Sequence, residues 1–285
     1  MSLVSMKSLL KNAEAGGYAV GAFSVANMEM VLGAVKAAEE LRSPMILQVA
    51  QVRLPYSPLP VIAALMRAAA KEATVPVAVH FDHGQDMTRI AAALEHGFTS
   101  VMIDASARPL EENIRLTGEV KALADRYRAS VEAEVGQLGS GEDGVANGAA
   151  LYSDPEEVRK LYEATGVDAI ALSIGNAHGL YKAEPRLDFE VLKKTRGLVE
   201  VPLVLHGGSG ISDEDFRTCI AYGVRKINVA TATFLAVEEA ACHYEETKEK
   251  ADYFALSRQM MFGAYENIKR HMLVFGSDGK AGEGV

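Results

Sequence analysis

The chain alternates short apolar runs rich in β-branched residues with longer amphipathic segments over most of its length. A short apolar run predicts a buried parallel strand, and apolar residues at helical spacing predict a helix packed on the sheet. Eight strands are predicted, at residues 19–23, 45–49, 77–81, 100–103, 130–135, 169–174, 203–206 and 226–229. Repeated strand–helix units indicate an α/β fold with a parallel sheet.

Eight such units within 285 residues favour a closed (β/α)8 barrel, expected as a single domain over residues 1–285. An open sheet built from the same units is the alternative architecture. Asp154-Pro155 and Ser212-Asp213 each combine a helix-capping residue with a proline or acid, which predicts a helix start after a loop. In a barrel the carboxyl ends of all strands meet at one mouth, so residues distant in sequence converge there.

The composition excludes several classes of partner. A formal net charge of −9 argues against nonspecific binding of nucleic acid or an anionic membrane, which favours a small-molecule partner. Neither of the cysteines, Cys219 and Cys242, has a metal-like spacing, as expected for a reduced, cytoplasmic protein. No membrane span and no export signal are expected, since no stretch of about 18 apolar residues occurs.

Three histidines share one sequence context. His83, His178 and His206 each follow an apolar run and each precede a glycine. Three imidazoles with an open position form the ligand set of a catalytic zinc, although any one of them alone could be a hydrogen-bonded histidine at a strand end. The repetition favours a metal site. His80 lies three positions before His83, so a regular strand would direct it to the opposite face, and we expect it to be structural.

Acidic residues end three of the predicted strands. Asp82, next to His83, could take a proton from a substrate carbon that a metal makes acidic, or could orient an imidazole. Asp104 and Glu134 end the fourth and fifth strands, and alternation directs Glu132 to the same face as Glu134. A second or alternative cation position and a structural salt bridge both remain open.

Two glycine- or hydroxyl-bearing segments follow the last two strands. Gly207-Gly208-Ser209-Gly210 follows the seventh strand and Asn228-Val229-Ala230-Thr231 follows the eighth. Loops at these positions of (β/α)8 enzymes often bind phosphate through backbone N–H groups. Lys182 could add a positive charge, with a solvated surface lysine as the alternative. The glycine-rich stretch 136–150 is predicted to be a mobile lid.

Taken together, these motifs resemble the class II, metal-dependent aldolases, which include fructose- and tagatose-bisphosphate aldolases. The resemblance extends over nearly the whole chain. It is carried by Ala22-Phe23, His83-Gly84, Asp104-Ala105-Ser106, Val131 to Gly136, Gly175 to Lys182, Leu205 to Ile211, Lys226 to Val229 and Phe275-Gly276-Ser277. It implies a (β/α)8 barrel, a zinc ion and a sugar phosphate substrate, and a homodimer or homotetramer is expected on the same ground.

The resemblance also implies roles for individual residues. Asp82 is the expected catalytic base, and Glu142 falls where the family's mobile loop carries a glutamate that handles a hydroxyl or enediolate proton. The expected zinc ligands are His83, His178 and His206, with Asp104 and Glu134 lining a second or alternate cation position, for example for a monovalent ion. The residues expected to hold the dihydroxyacetone phosphate half are Gly179, Lys182, Gly207, Gly208, Ser209, Asn228, Val229, Ala230 and Thr231.

Departures from the family pattern bear on the substrate. The segment 228–232 lacks the second carboxylate that fructose-bisphosphate members commonly have, and 233–235 lacks the arginine that some use for the distal phosphate. Ser24 and Ala50 stand where Asn and Ser are frequent. We therefore expect a zinc-dependent aldolase for a ketose 1-phosphate or 1,6-bisphosphate, with the dihydroxyacetone phosphate end retained and the aldehyde end altered. The alternatives are a metal-dependent hydrolase barrel and a non-catalytic subunit that supports another aldolase.

Overall fold

The eight predicted strands form a closed parallel barrel. A computed structural model describes residues 2–138, 152–179, 181 and 185–282. Strand β8 pairs with β1 and closes the barrel, so the open-sheet alternative is excluded. The strands are β1 Val20–Ser24, β2 Met45–Ala50, β3 Val77–Gly84, β4 Ser100–Ile103, β5 Ser130–Val135, β6 Ala169–Leu172, β7 Leu203–Leu205 and β8 Val224–Val229.

Helices surround this barrel, and both predicted helix starts are confirmed. Asp154 accepts a hydrogen bond from the N–H of Glu156, and Ser212 accepts one from the N–H of Asp215. The helices are α1 Met6–Gly16, α2 Met28–Leu41, α3 Leu59–Glu72, α4 Met87–Glu95, α5 Leu110–Tyr127, α6 Pro155–Thr165, α7 Phe189–Leu198, α8 Asp213–Ala221, α9 Thr231–Thr247 and α10 Tyr253–Val274, with a 3-10 turn at Gln51–Arg53. Within the described residues, no helix combines the length and apolarity that crossing a membrane requires.

Helix α1 closes the amino-terminal end of the barrel. The N–H of Val4 donates to the carbonyl of Val77 at 2.9 Å, which anchors the segment before α1 to the start of β3. The buried side chains of α1 pack against the inward-facing residues nearest the amino-terminal end of the barrel. This apolar plug consists of Met6, Leu9, Leu10, Ala13, Tyr18, Val20, Ala22, Ile46, Ala78, Ala169, Ala171 and Val204. Complete burial of one large apolar side chain contributes about 1.5–3 kcal/mol.

Strand β3 is irregular near its carboxyl end. Its register with β4 shifts between Phe81 and Gly84. His83 has φ 46°, in the left-handed region that non-glycine residues rarely adopt. This conformation breaks the alternation of the strand, so that Asp82 and His83 both contribute to the same end of the barrel. The site therefore rests on a local backbone distortion at its centre.

Candidate metal centre and active site

Three imidazoles from distant parts of the chain meet at the barrel mouth. The ring centroids of His83 lie 4.7 Å from those of both His178 and His206. One nitrogen of each ring lies within 4.8 Å of the others. Buried Asn176 helps to join the two loops, since its Nδ2 donates to the carbonyl of His206 at 3.0 Å. The predicted convergence of the three histidines is thus present in the structure.

The outer nitrogens of two rings are tied to carboxylates. His83 Nδ1 lies 2.9 Å from Asp104 Oδ2, and His206 Nε2 lies 2.7 Å from Glu132 Oε1. A neutral imidazole that donates a hydrogen bond from its outer N–H to a carboxylate has a free lone pair on its inner nitrogen. These inner nitrogens, His83 Nε2 and His206 Nδ1, are only 2.9 Å apart, and the buried Nε2 of His178 has no hydrogen-bond partner among the described residues. A cation held by the three rings would satisfy these nitrogens, and the donor set fits zinc.

The electrostatic surroundings of the three rings differ. Burial lowers the pKa of His178 and of His206 well below the usual value, and the neighbouring His83 lowers both further. Both rings are therefore neutral near pH 7, the form that binds a metal. Burial also acts to lower the pKa of His83, but the carboxylates of Asp82 and Asp104 outweigh it and raise that pKa well above its usual range. Strong negative charge thus surrounds the His83 ring.

A second group of possible cation ligands shares His83. One atom from each of His83, Asp104 and Glu134 lies within 4.8 Å of the other two. Within the part of the chain that the structure describes, the Oε2 atom of Glu134 is buried without a hydrogen-bond partner, and burial followed by the charge of Asp104 raises the pKa of Glu134. Asp104 differs, because hydrogen bonds from His83 and Ser106 lower its pKa despite burial. A cation at this position would satisfy the unpaired oxygen of Glu134.

Asp82 is held from both sides by amides. Gln48 Nε2 donates to Asp82 Oδ2 and Asn228 Nδ2 donates to Asp82 Oδ1, each at 3.2 Å. The side chain is almost completely buried, and this burial raises the pKa of Asp82 above its ordinary value. A carboxylate that is fixed in orientation and made more basic is suited to accept a proton from carbon.

A buried ion pair lies below these groups, inside the barrel. Lys226 Nζ is 2.9 Å from Glu132 Oε2, and both side chains are completely buried. Lys226 Nζ also donates to Asn228 Oδ1 at 2.7 Å. Glu132 faces inward, as strand alternation predicts. The sequence contained a signal for Lys226 as well, because it stands two positions before Asn228 on the same strand and hence on the same face.

The prediction that His80 lies on the face opposite to His83 is wrong. His80 is completely buried inside the barrel, where its Nδ1 lies 2.9 Å from Ser100 Oγ and its Nε2 lies 3.7 Å from Glu132 Oε2. The prediction assumed a regular strand, whereas the left-handed backbone at His83 returns that side chain to the interior. Burial lowers the pKa of His80 well below normal, so this imidazole is a neutral neighbour of the ion pair.

A loop cradle borders one side of the cavity at the mouth. Gly207 has φ 65°, and a Cβ there would lie 2.1 Å from the carbonyl oxygen of Ala177, so this position requires glycine. The Tyr181 hydroxyl donates to the Gly207 carbonyl and accepts from the Ala177 N–H, each at 2.9 Å. The predicted phosphate-side residues that line the cavity are Gly179, Gly207, Ser209, Asn228, Ala230 and Thr231.

Two of the predicted phosphate-side residues do not line that cavity. The N–H of Gly208 donates to the carbonyl of Asn228 at 3.0 Å, which joins the loop after β7 to β8. The side chain of Val229 is completely buried in the layer between barrel and helices. Both residues therefore support the cradle without lining the cavity. Lys182 and Glu142, and residues 139–150 of the predicted lid, lie outside the described residues.

Further residues line the same cavity. They are Ser24, Ala50, Arg53 and Phe234. The Arg53 guanidinium lies 5.6 Å from the centre of the Phe234 ring, a cation–π contact. Arg53 could not be predicted from the sequence pattern, because it lies in a short turn after β2, where strand periodicity does not indicate which way a side chain points. Gln48 was also missed, and its signal was a polar residue at an inward position of an otherwise apolar strand.

Comparisons with known proteins agree with this geometry. Residues 4–280 match the family model described as "Fructose-bisphosphate aldolase class-II". The chain is 41% identical to a fructose-bisphosphate aldolase of Geobacillus stearothermophilus, over 99% of this chain and 100% of that protein. It is 44% identical to the D-tagatose-1,6-bisphosphate aldolase subunit GatY of Klebsiella oxytoca, over 88% of this chain and 89% of that protein.

A solved structure shares the fold over the full length. The YdjI aldolase of Escherichia coli K12 superposes with a TM-score of 0.88 at 37% identity, covering 98% of this chain and 100% of that one. The predicted resemblance is confirmed, and the hydrolase alternative has no support. The mouth of the barrel thus combines a buried carboxylate with a cluster of three imidazoles. The chain belongs to the class II fructose-bisphosphate aldolase family, and the protein is an aldolase.

Proposed function

We propose that this aldolase binds zinc and reversibly cleaves a ketose 1-phosphate or 1,6-bisphosphate to dihydroxyacetone phosphate and an aldehyde. One observation carries the proposal: the buried Asp82 carboxylate, two rings of the histidine cluster, His83 and His178, and the cradle residues Gly207 and Ser209 line the same cavity. Proton transfer, metal binding and anion binding are therefore available to one small substrate.

The chemistry divides between the metal and the side chains. Zinc, when bound, polarises the substrate ketone and so raises the acidity of the adjacent C–H group. In the condensation direction Asp82 takes the proton from that carbon, and the carbon's electron pair forms the new bond to the aldehyde carbon. The π pair of the aldehyde C=O bond moves to its oxygen, which takes a proton from water to become the product hydroxyl. Gln48 and Asn228 keep the carboxylate in one orientation throughout. In cleavage the same carboxyl group returns the proton to carbon.

The distal half of the substrate faces Arg53 and Phe234 in this proposal. A guanidinium binds phosphate and carboxylate groups through paired N–H donors, so an anionic distal end is favoured over a neutral one. The two relatives named above are bisphosphate aldolases, which supports a distal phosphate. The small side chains Ser24 and Ala50, which line the same cavity, support a departure from the fructose-bisphosphate pattern.

A retro-aldol assay on a panel of substrates tests the proposal. The panel contains ketose 1-phosphates with neutral distal ends, ketose 1,6-bisphosphates and a ketose 1-phosphate with a distal carboxylate. We expect cleavage of anionic members to be fastest and fructose 1,6-bisphosphate not to be the best among them. Arg53→Ala should reduce kcat/KM for anionic members by about ten- to a hundredfold and leave neutral members nearly unchanged. Equal losses on all members would contradict a distal role for Arg53.

The metal requirement is tested separately. Chelation should abolish activity and added zinc should restore it, since three converging imidazoles form the ligand set of a catalytic zinc. Inactivation by borohydride in the presence of substrate would instead indicate a lysine Schiff base and contradict the zinc proposal.

We further propose a cation at the His83–Asp104–Glu134 position, a cytoplasmic location, and assembly as a homodimer or homotetramer. The unpaired Glu134 oxygen supports the cation, and a monovalent ion is the form we favour. Activity measured across sodium, potassium and large organic cations tests it. Sedimentation analysis of the purified chain measures the assembly state.

A further inference from the structure

The ion pair of Glu132 and Lys226 is the most deeply buried charged group of the described interior. Both residues are 0% exposed, and the Nζ to Oε2 distance is 2.9 Å. Apolar residues of matching size often replace such pairs without loss of stability. Stability alone therefore gives no reason for charges at this position.

Each member of the pair contacts a different functional group. On one side, Glu132 Oε1 lies 2.7 Å from Nε2 of His206. On the other side, Lys226 Nζ lies 2.7 Å from Asn228 Oδ1, and Asn228 Nδ2 lies 3.2 Å from Asp82 Oδ1. A continuous path of polar contacts thus joins one zinc ligand to the proposed base through the ion pair.

The chemistry of the donors sets a direction along this path. An ammonium group only donates hydrogen bonds, so it fixes the Asn228 side chain with its oxygen toward Lys226. The amide N–H₂ must then face Asp82 and hold its carboxylate. At the other end of the path, the Glu132 carboxylate can only accept hydrogen bonds, so Nε2–H of His206 donates to it. The proton of the His206 ring is then on Nε2, and Nδ1 presents its lone pair to the histidine cluster.

We propose that Glu132 and Lys226 are a positioning pair, which fixes the ring tautomer of His206 on one side and the orientation of Asp82 on the other. The pair acts through His206 and Asn228. Each charge compensates the other, because removal of one partner would leave the other charge buried without a counter-charge. The inference rests on the proposed zinc-dependent activity.

The test compares single and double substitutions that preserve side-chain volume. Lys226→Met removes the ammonium, Glu132→Gln removes the negative charge, and the double variant restores neutrality. For Lys226→Met we expect kcat to fall about a hundredfold, with KM changed less than about threefold. For Glu132→Gln we expect the zinc dissociation constant, measured by competition with a chromophoric chelator, to rise about 10–100-fold.

The double variant separates positioning from simple packing. A positioning pair predicts that this variant regains the thermal stability lost in the single variants while kcat and zinc affinity remain low. Recovery of kcat and zinc affinity together with stability would overturn the proposal, because it would show that only buried charge balance mattered. If the single variants do not fold, the double variant alone still decides between these results.

A buried acid at the other end of the barrel provides the control. Asp168 is 8% exposed, pairs with Lys7 at 2.9 Å and accepts the N–H of Val131 at 2.9 Å. Asp168→Asn should lower stability without changing kcat or zinc affinity. The wild-type protein in the same assays tests the proposed function itself: absence of both zinc binding and aldol cleavage would overturn both proposals, whereas an active wild type with an active double variant would overturn only this one.

Discussion

The two ends of the barrel interior are built from the same strands but have opposite character. At the amino-terminal end the inward residues are apolar, such as Val20 and Ile46, and helix α1 seals them from water. At the carboxyl end the inward residues are polar or charged, such as Asp82, Glu132 and Lys226. Along β3 the change from apolar to polar inward-facing side chains occurs directly after Ala78.

The contrast separates stability from chemistry within one core. Apolar burial at the closed end is favourable with no requirement for partners. Burial of charge at the mouth is unfavourable unless each group has a partner, so the mouth contains a hydrogen-bond network and a cluster of imidazoles that could hold a metal ion. Substitutions at the two ends should therefore affect different measurements.

The largest expected effect on activity is that of Asp82→Asn at the mouth. The amide cannot accept the proton from carbon, so we expect kcat to fall about 10²–10⁴-fold. Zinc content and the melting temperature should stay close to those of the wild type, because asparagine retains the size of the side chain. Exchange of the substrate C–H proton with solvent, followed by NMR, measures the step directly, and unchanged exchange would contradict the role of Asp82.

His178→Gln should reduce both zinc binding and activity. Loss of a residue that hydrogen-bonds to a metal ligand already lowers the metal affinity about 10–100-fold, and loss of the ligand itself should lower it further. The metal content of the purified protein and competition titration measure this. His243→Gln on the exposed surface of α9 is the matched control and should change neither. Full zinc occupancy in His178→Gln would remove His178 from the ligand set.

Gly207→Ala should have an intermediate effect, confined to the cradle. A Cβ would clash with the carbonyl oxygen of Ala177 at 2.1 Å, and φ 65° is unfavourable for alanine. The loop must move, and we expect kcat/KM to fall about ten- to a hundredfold, mainly through KM. In α7, Gly197→Ala provides the control, since an added Cβ meets no atom within 4 Å. Unchanged KM would show that the cradle does not contact substrate.

Leu10→Ala in the apolar plug should leave activity nearly unchanged. Leu10 is 0% exposed, so its truncation should lower the free energy of unfolding by about 2–5 kcal/mol. Chemical denaturation measures this change, and kcat/KM of the folded protein should match the wild type. A large fall in kcat/KM without loss of stability would break the proposed separation of the two ends.

Much of this arrangement could be predicted from the sequence. The eight strands, the closed barrel and the family were predicted from strand periodicity and motifs, and each is confirmed. The convergence of His83, His178 and His206 could be expected, because a parallel barrel brings all strand carboxyl ends to one mouth. Their function as zinc ligands, and that of Asp82 as the base, remain predictions with a defined geometry.

Other features depended on contacts that no local pattern specifies. The interior position of His80 was predicted wrongly because the distortion at His83 interrupts the strand period. Arg53 reaches the mouth from an irregular turn, and its approach to Phe234 joins residues 181 positions apart. Such pairings depend on how loops pack, which periodicity does not encode.

By itself, the sequence determined the periodic features of this protein: which segments are strands, which residues face inward on a regular strand, and which strand ends bear imidazoles and carboxylates. These follow from local geometry and hydrophobic alternation. Only the tertiary structure decided which inward groups pair with each other, that Glu132 and Lys226 link His206 to Asp82, and that His83 turns back into the mouth. These features depend on distances between separate strands, and those distances are established only when the barrel closes.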